Sequence, residues 1–178
     1  MDQGIISTRY ARAIYEYAAA KKDETALYDE MQLLKANFRS QPLLRRVLSD
    51  PTISTDEKIK VLTTAGGKPD SAVSQHVIRM VIDNQRASYM ESIAQMYVKE
   101  YRRQKGIQVV HLTTVEPSDD GLQHSLLSVI AKETPAKIEF HTHTDPGLIG
   151  GFVLTIEDKR LDASVKEQLR VLDGLLNK

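Results

Sequence analysis

The stretch from residue 101 to residue 115, YRRQKGIQVVHLTTV, separates two kinds of sequence in this chain. Before Gly106 the apolar residues recur every three or four positions, which is typical of amphipathic helices. From Ile107 to Val115 the chain is rich in β-branched residues and has no helical period, so this segment predicts a strand. We therefore expect a boundary at Gly106 between a helical domain, residues 1–105, and a second domain, residues 106–178.

Apolar stripes and helix-start motifs predict six helices with short connections in the first domain, which together form a bundle. The pairs Ser54/Glu57 and Ser88/Glu91 have the spacing of a capping box, and Asp70 is predicted to be the N-cap of the fifth helix. The stripe of the first helix comprises Ile6, Tyr10, Ala13, Ile14 and Tyr17.

The second domain is predicted to follow the order β-α-β-β-α. After the first strand, Ser118 is placed to cap a helix, and a second strand covers Lys137–His143. Asp145-Pro146-Gly147 predicts a turn before a third strand, and Ser164 with Glu167 predicts a capping box for the last helix. The expected fold class is α+β: a six-helix bundle followed by a small β-α-β-β-α domain.

The composition excludes several classes of function. The 178 residues contain 24 Lys plus Arg and 24 Asp plus Glu, so the surplus of positive charge that favours nucleic acid is absent. The chain has no Cys, which rules out disulfides, thiol nucleophiles and Cys-ligated zinc. It also lacks an apolar stretch of the roughly 20 residues that span a bilayer, so we expect no direct membrane insertion.

Motifs for catalysis are sparse. Gly66-Gly67-Lys68 lacks the upstream glycine of a phosphate-binding loop, and Pro69 occupies the position of its Ser or Thr. A metal-dependent enzyme using Glu139, His141 and His143 is one alternative, because strand alternation places these side chains on one face. A helical RNA-binding adaptor using Arg102, Arg103 and Lys105 is another. Both rank below a binding role, and we expect no catalytic, metal or cofactor site.

The first helix carries small residues interleaved with large apolar ones. Ala11, Ala13 and Ala18 alternate with Tyr10, Ile14 and Tyr17, so another helix can approach this face closely. The pattern alone leaves open whether that face contacts a partner or only its own bundle.

Three segments carry a resemblance to a known family. These are Arg9–Ile14 (RYARAI), Ile78–Val81 (IRMV) with Asn84 and Arg86, and residues 145–172, DPGLIGGFVLTIEDKRLDASVKEQLRVL. Together they resemble the delta subunits of F-type ATP synthases, which are related to the mitochondrial oligomycin-sensitivity-conferring protein. The likeness spans nearly the whole chain, and it departs at Ala163, where the family commonly has Gly.

The resemblance implies a non-catalytic stator subunit, which holds the catalytic head against the torque of the rotor. In this family the helical bundle binds the N-terminal helices of alpha subunits through a groove between helices 1 and 5. The second domain contacts the C-terminal end of the b subunits of the peripheral stalk. Carried over to this chain, the groove residues are Tyr10, Ala13, Ile14, Tyr17, Val77, Met80 and Val81.

Two further expectations follow from the resemblance. We expect Leu148, Ile149 and Phe152 to serve the fold of the second domain itself. We also expect the chain to lie at the cytoplasmic face of a bacterial inner membrane as part of the complex, because no transit segment precedes the first helix.

Overall fold

The computed structural model describes residues 3–68, 70–116, 120–133, 136–157 and 159–176, and the chain divides into two units, Met1–Gln104 and Lys105–Lys178. The described part of the first unit forms six α-helices and one short 3-10 turn, Ala87–Tyr89. The helices are α1 (Gln3–Ala20), α2 (Glu24–Ser40), α3 (Leu43–Ser49), α4 (Thr55–Ala65), α5 (Ala72–Asp83) and α6 (Met90–Lys105). The bundle predicted from the sequence is confirmed.

The helix starts test the predicted caps. Ser54 and Glu57 form the expected capping box at α4, in which each side chain accepts from the other residue's backbone N–H. The prediction of Asp70 as the cap of α5 is wrong, because Ser71 is the extended residue next to the helix and accepts from the Ser74 N–H. The capping box at Ser88 is also wrong, since Ser88 lies within the 3-10 turn before α6.

Tyrosines pack α6 against α2. Tyr97 is fully buried, and its hydroxyl donates to the backbone oxygen of Glu24 at 3.1 Å. Tyr28 of α2 stacks on Tyr101 of α6 with ring centroids 4.2 Å apart. Because these rings provide large apolar areas and a polar end, they pack the core while keeping their hydroxyls paired.

The described part of the second unit contains four strands, two α-helices and one short 3-10 turn, Pro146–Leu148. Their bounds are β1 (Ile107–Thr114), α7 (Asp120–Glu133), β2 (Lys137–Thr144), β3 (Gly151–Ile156), β4 (Lys159–Ser164) and α8 (Val165–Leu176). The sheet has the order β2-β1-β3-β4, with β1 and β2 parallel and the other pairs antiparallel. The α+β class is confirmed; the predicted cap Ser118 lies outside the described residues.

Strand β4 is an addition to the predicted β-α-β-β-α order. Its sequence, KRLDAS, is mostly polar and lacks the β-branched enrichment that marks the other strands. It forms because β3 offers a free edge, and the two strands pair from Gly151 with Ser164 to Ile156 with Lys159. Pairing with a neighbour, and not intrinsic propensity, therefore decides this element.

The two faces of the sheet differ. Val110, Leu112 and Leu154 lie on one face and pack with Ile130 of α7 as the core of the unit. The partly buried side chains of Leu126, Ile138, Phe140, Phe152 and Ile156 surround them. Strand alternation places His111, Glu139, His141 and His143 on the opposite face.

Candidate partner-binding groove

A surface cavity of about 400 Å³ lies between α1 and α5. It is lined by Ile6, Arg9, Tyr10 and Ala13 of α1, by Met80 of α5, and by Asn84 and Arg86, which follow α5. We call this cavity the α1–α5 groove. The α1 residues have the spacing i, i+3, i+4 and i+7, so they form one continuous stripe of the helix surface.

The end of α5 places the last two residues of the groove. Gln85 adopts a left-handed conformation with φ 58°, and the N–H groups of Gln85 and Arg86 donate to the carbonyls of Ile82 and Val81. This is a Schellman arrangement, which turns the chain back over the last helical turn. The Asn84 side-chain amide also donates to the Met80 carbonyl at 2.7 Å. This turn places Arg86 beside α5, where it lines the groove together with Met80 and Asn84.

Helices α1 and α5 run antiparallel along the groove. Tyr17 stacks on His76, with ring centroids 4.9 Å apart and planes inclined by 26°. Ala13 lies one turn before Tyr17 on α1, and Met80 lies one turn after His76 on α5. The stack therefore lies at one end of the groove, while Ile6 and Asn84 lie towards the other.

The seven predicted groove residues divide into three groups. Tyr10, Ala13 and Met80 line the groove. Ile14, Val77 and Val81 are only 1%, 1% and 0% exposed, so their side chains belong to the core of the bundle. Tyr17 is half-buried in its stack on His76. That all seven bind a partner stays a prediction, but the three core residues support the groove from beneath and are not on its surface.

Four lining residues were absent from the predicted set. Ile6 is the first residue of the apolar stripe on α1, and it lies outside the segments that carry the family resemblance. The sequence therefore did not single it out as a groove residue. Arg9, Asn84 and Arg86 lie within the segments that carry the family resemblance, so the sequence contained an indication of them. An apolar contact predicts apolar lining residues, so charged and amide side chains do not belong to the predicted set.

The charge of the groove is positive. Its described lining includes two arginines and no carboxylate. The Arg86 guanidinium lies 5.6 Å from the centroid of the Tyr89 ring, a cation–π distance that restrains this side chain. The rest of the lining is mainly apolar, so the groove combines a hydrophobic surface with two cations.

The metal hypothesis has no support in the described residues. His141 and Glu139 contact each other, with 2.9 Å between Nε2 and Oε1, and His141 stacks on His111 with centroids 5.2 Å apart. Parallel rings do not converge on a shared metal position, and in the part of the chain that is described no group of three or more His, Cys, Asp or Glu is arranged to hold an ion.

The basic cluster at the end of α6 is largely engaged within the chain. Arg102 donates from Nε to the Tyr28 hydroxyl at 3.0 Å and lies over the same ring. Arg103 forms two hydrogen bonds to the Glu100 carboxylate, at 3.0 and 2.6 Å. These contacts reduce the charge available for phosphate, which weakens the RNA-adaptor hypothesis.

The second unit presents an apolar stripe on its last helix. Val165, Leu169 and Leu172 follow the spacing i, i+4 and i+7, and the two leucines are 54% and 55% exposed. Leu148 is buried and Phe152 packs against the core, as expected. Ile149 is exposed, so the expectation that it serves the fold of its own domain is wrong for this residue. None of the helices in the described ranges is long and apolar enough to cross a membrane.

A helical bundle with a surface groove, joined to a small α+β unit with an exposed apolar helix face, defines a protein built to hold partners. Comparison with known proteins identifies the class. Residues 6–176 match the family model described as the ATP synthase delta (OSCP) subunit, and the chain belongs to this family. It is therefore a non-catalytic stator subunit of an F-type ATP synthase.

Relatives support this assignment over nearly their full lengths. ATP synthase subunit delta of Azobacteroides pseudotrichonymphae is 45% identical over 170 residues, covering 95% of this chain and 96% of the relative. The subunit of Parabacteroides distasonis is 41% identical, covering 99% and 98%. A chain in the cryo-EM structure of the Toxoplasma gondii mitochondrial ATP synthase hexamer has the same fold, with a TM-score of 0.71, 18% identity and 97% coverage of both chains.

Proposed function

We propose that this subunit connects the catalytic head to the peripheral stalk by holding one partner on each unit. The α1–α5 groove binds the N-terminal helix of an alpha subunit, and the second unit binds the b subunits. In this arrangement the chain lies at the cytoplasmic face of a bacterial inner membrane and reaches it only through its partners. Its task is tight, slowly dissociating contact, which needs no turnover.

The observation that carries the proposal is the apolar lining of the groove in a chain of this family. Ile6, Tyr10, Ala13 and Met80 form a concave surface between two helices. An amphipathic helix binds such a surface by inserting a few apolar side chains, which supply most of the affinity. Ile14, Val77 and Val81 are buried in the core of the bundle, so they contribute to its packing and not to this surface.

Ala13→Asp is the substitution that tests the groove. Ala13 is exposed, so a carboxylate there leaves the core intact while placing a charge against the apolar face of the bound helix. Ile14→Asp is unsuitable, because a charge at this buried position unfolds the bundle. Thr8→Asp is the matched control, since Thr8 is exposed on α1 but does not line the groove.

The experiment is a calorimetric titration of the full chain with a synthetic peptide of the alpha-subunit N-terminus. We expect one-to-one binding by the wild type and by Thr8→Asp, and binding at least about tenfold weaker by Ala13→Asp. Circular dichroism verifies that each variant is folded. Equal affinity for wild type and Ala13→Asp would remove the groove from the proposal.

For the second unit, the α8 stripe supports a site for the b subunits. Leu169 and Leu172 offer apolar area that a monomer otherwise leaves in water. In pull-down of the C-terminal segment of b, we expect Leu169→Asp to abolish capture and Gln168→Asp, at an exposed polar position of the same helix, to retain it. Capture by Leu169→Asp at the wild-type level would place the b contact elsewhere.

A further inference from the structure

Two arginines line an otherwise mainly apolar groove, and their charge is not needed to bind an apolar helix face. We propose that Arg9 and Arg86 select the partner, so that the bound helix carries carboxylates beside its apolar face. This inference rests on the proposed function of the α1–α5 groove and adds what its occupant must contain.

The first argument is the absence of internal carboxylate partners among the described residues. Arg12, Arg45, Arg79 and Arg103 of the same unit each lie within 3.3 Å of a carboxylate oxygen. Among the described residues no such ion pair is formed by Arg9 or Arg86. Their guanidinium groups can therefore bind a carboxylate of another molecule, to which a guanidinium donates two parallel hydrogen bonds.

The second argument is preorganisation. The Schellman turn after α5 fixes the backbone of Arg86, and the Tyr89 ring restrains its side chain. Arg9 lies on a continuous helix whose neighbouring turns line the same cavity. An interaction between groups held in place loses less side-chain entropy on binding than one between two mobile side chains.

The positions of the two arginines also limit where the bound helix carries its carboxylates. Arg86 follows the C-terminal end of α5, at the end of the groove opposite the Tyr17–His76 stack. A partner helix therefore places its carboxylates within reach of Arg9 and Arg86. A helix with basic residues at the same positions is rejected, because like charges meet at the edge of an apolar contact.

The test compares two peptides on the full chain. One is the N-terminal helix of the cognate alpha subunit, and the other is the same peptide with each Asp and Glu replaced by Asn and Gln. The protein variants are Arg9→Met and Arg86→Met, which keep a long apolar stem and remove the charge. Arg46→Met serves as the control, because Arg46 is exposed on α3 and does not line the groove.

We expect both groove variants to bind the native peptide about threefold to tenfold more weakly, and to bind the neutral peptide as the wild type does. Raising the salt concentration should weaken native-peptide binding to the wild type more than to either Arg9→Met or Arg86→Met. Arg46→Met should match the wild type.

Two results would overturn the inference. Equal affinity of the wild type for the native and the neutral peptide would reject charge selection while leaving the groove as the alpha-subunit site. Failure of folded wild-type protein to bind either peptide would reject the proposed function together with the inference.

Discussion

The ring of Tyr17 on α1 stacks on the imidazole of His76 on α5, with 4.9 Å between their centroids and 26° between their planes. This stack joins the two helices that form the walls of the α1–α5 groove, one helical turn beyond its lining residues. It therefore sets the distance between the walls at that end. The width of the groove therefore depends on this stack as well as on the side chains that line the groove.

Tyr17→Ala removes the stack, and we expect it to lower the free energy of unfolding by about 1 to 2 kcal/mol. Tyr17→Phe keeps the ring and should remain close to the wild type. Urea unfolding followed by circular dichroism measures both variants. If Tyr17→Ala unfolds at the wild-type midpoint, the stack does not stabilise the helix pair.

Glu30 of α2 is a buried acid, with 3% of its surface exposed. Burial raises the pKa of this carboxyl above its ordinary value of 4.5, although Ser74, Ser71 and Lys68 oppose the shift. The two serine hydroxyls lie near, yet among the described residues neither carboxylate oxygen has a partner with hydrogen-bond geometry. The folded state therefore holds the proton more tightly than the unfolded state.

The consequence for stability follows from proton linkage. The protonated Glu30 carboxyl stabilises the folded state. This contribution to the free energy of unfolding is fully present below the ordinary pKa, and it is lost as the pH rises through the raised pKa of the folded state. We expect Glu30→Gln to be more stable than the wild type at pH 7 by about 1 kcal/mol or more, with the difference shrinking towards pH 4.5. Thermal unfolding across this pH range measures the effect.

Asp29→Asn is the matched control for Glu30→Gln, because Asp29 is the neighbouring residue on α2 and is exposed. Its melting temperature should follow that of the wild type at each pH. A constant difference between Glu30→Gln and the wild type from pH 4.5 to pH 8 would contradict a raised pKa.

The pKa of Asp162 on β4 is shifted in the opposite direction to that of Glu30. Hydrogen bonds from Ser164, together with the Arg160 guanidinium, lower the pKa of Asp162 from 3.8 to about 2. Its stabilising effect is present above the ordinary pKa and disappears as the pH falls through the lowered one. We expect Asp162→Asn to be less stable than the wild type at neutral pH, and the two to converge near pH 2. Thermal unfolding of both proteins across this pH range measures the effect. If the two melting temperatures differ by the same amount at every pH, the charge of the Asp162 carboxylate does not contribute to stability.

Two glycines of the second unit have positive φ but different surroundings. A Cβ on Gly151 would lie 2.3 Å from the backbone oxygen of Ala163, whereas a Cβ on Gly106 would meet nothing within 4 Å. We expect Gly106→Ala to lower the free energy of unfolding by about 1 to 2 kcal/mol, because alanine is strained at a positive φ. Gly151→Ala should cost about 2 to 5 kcal/mol, because the β3–β4 pair must also move.

The tyrosines allow the two units to be followed separately in this comparison. All seven tyrosines lie at or before position 101, so tyrosine fluorescence reports on the first unit. We expect Gly151→Ala to shift the far-UV circular dichroism transition and leave the fluorescence transition in place. Equal effects of the two substitutions would mean that the contact with Ala163 relaxes without cost.

Much of the architecture was available from the pattern of residues. The helical stripes predicted the bundle, and the β-branched run after Gly106 predicted β1. The polar segment at residues 159–164 did not identify β4, because its formation depends on the edge that β3 presents. Local composition predicts an element when that element carries its own apolar pattern, and fails when a neighbour imposes the structure.

The sequence by itself determined the order of the helices, the change to a sheet, and the family, since the motifs of the family are contiguous residues. It did not determine which side of α1 lines the groove. Ala13 and Ile14 are adjacent in the same apolar stripe, yet Ala13 is exposed in the groove and Ile14 is buried. The helical period fixes the angle between two side chains, whereas packing against the other helices fixes how α1 is rotated about its axis, and only the tertiary structure contains that rotation.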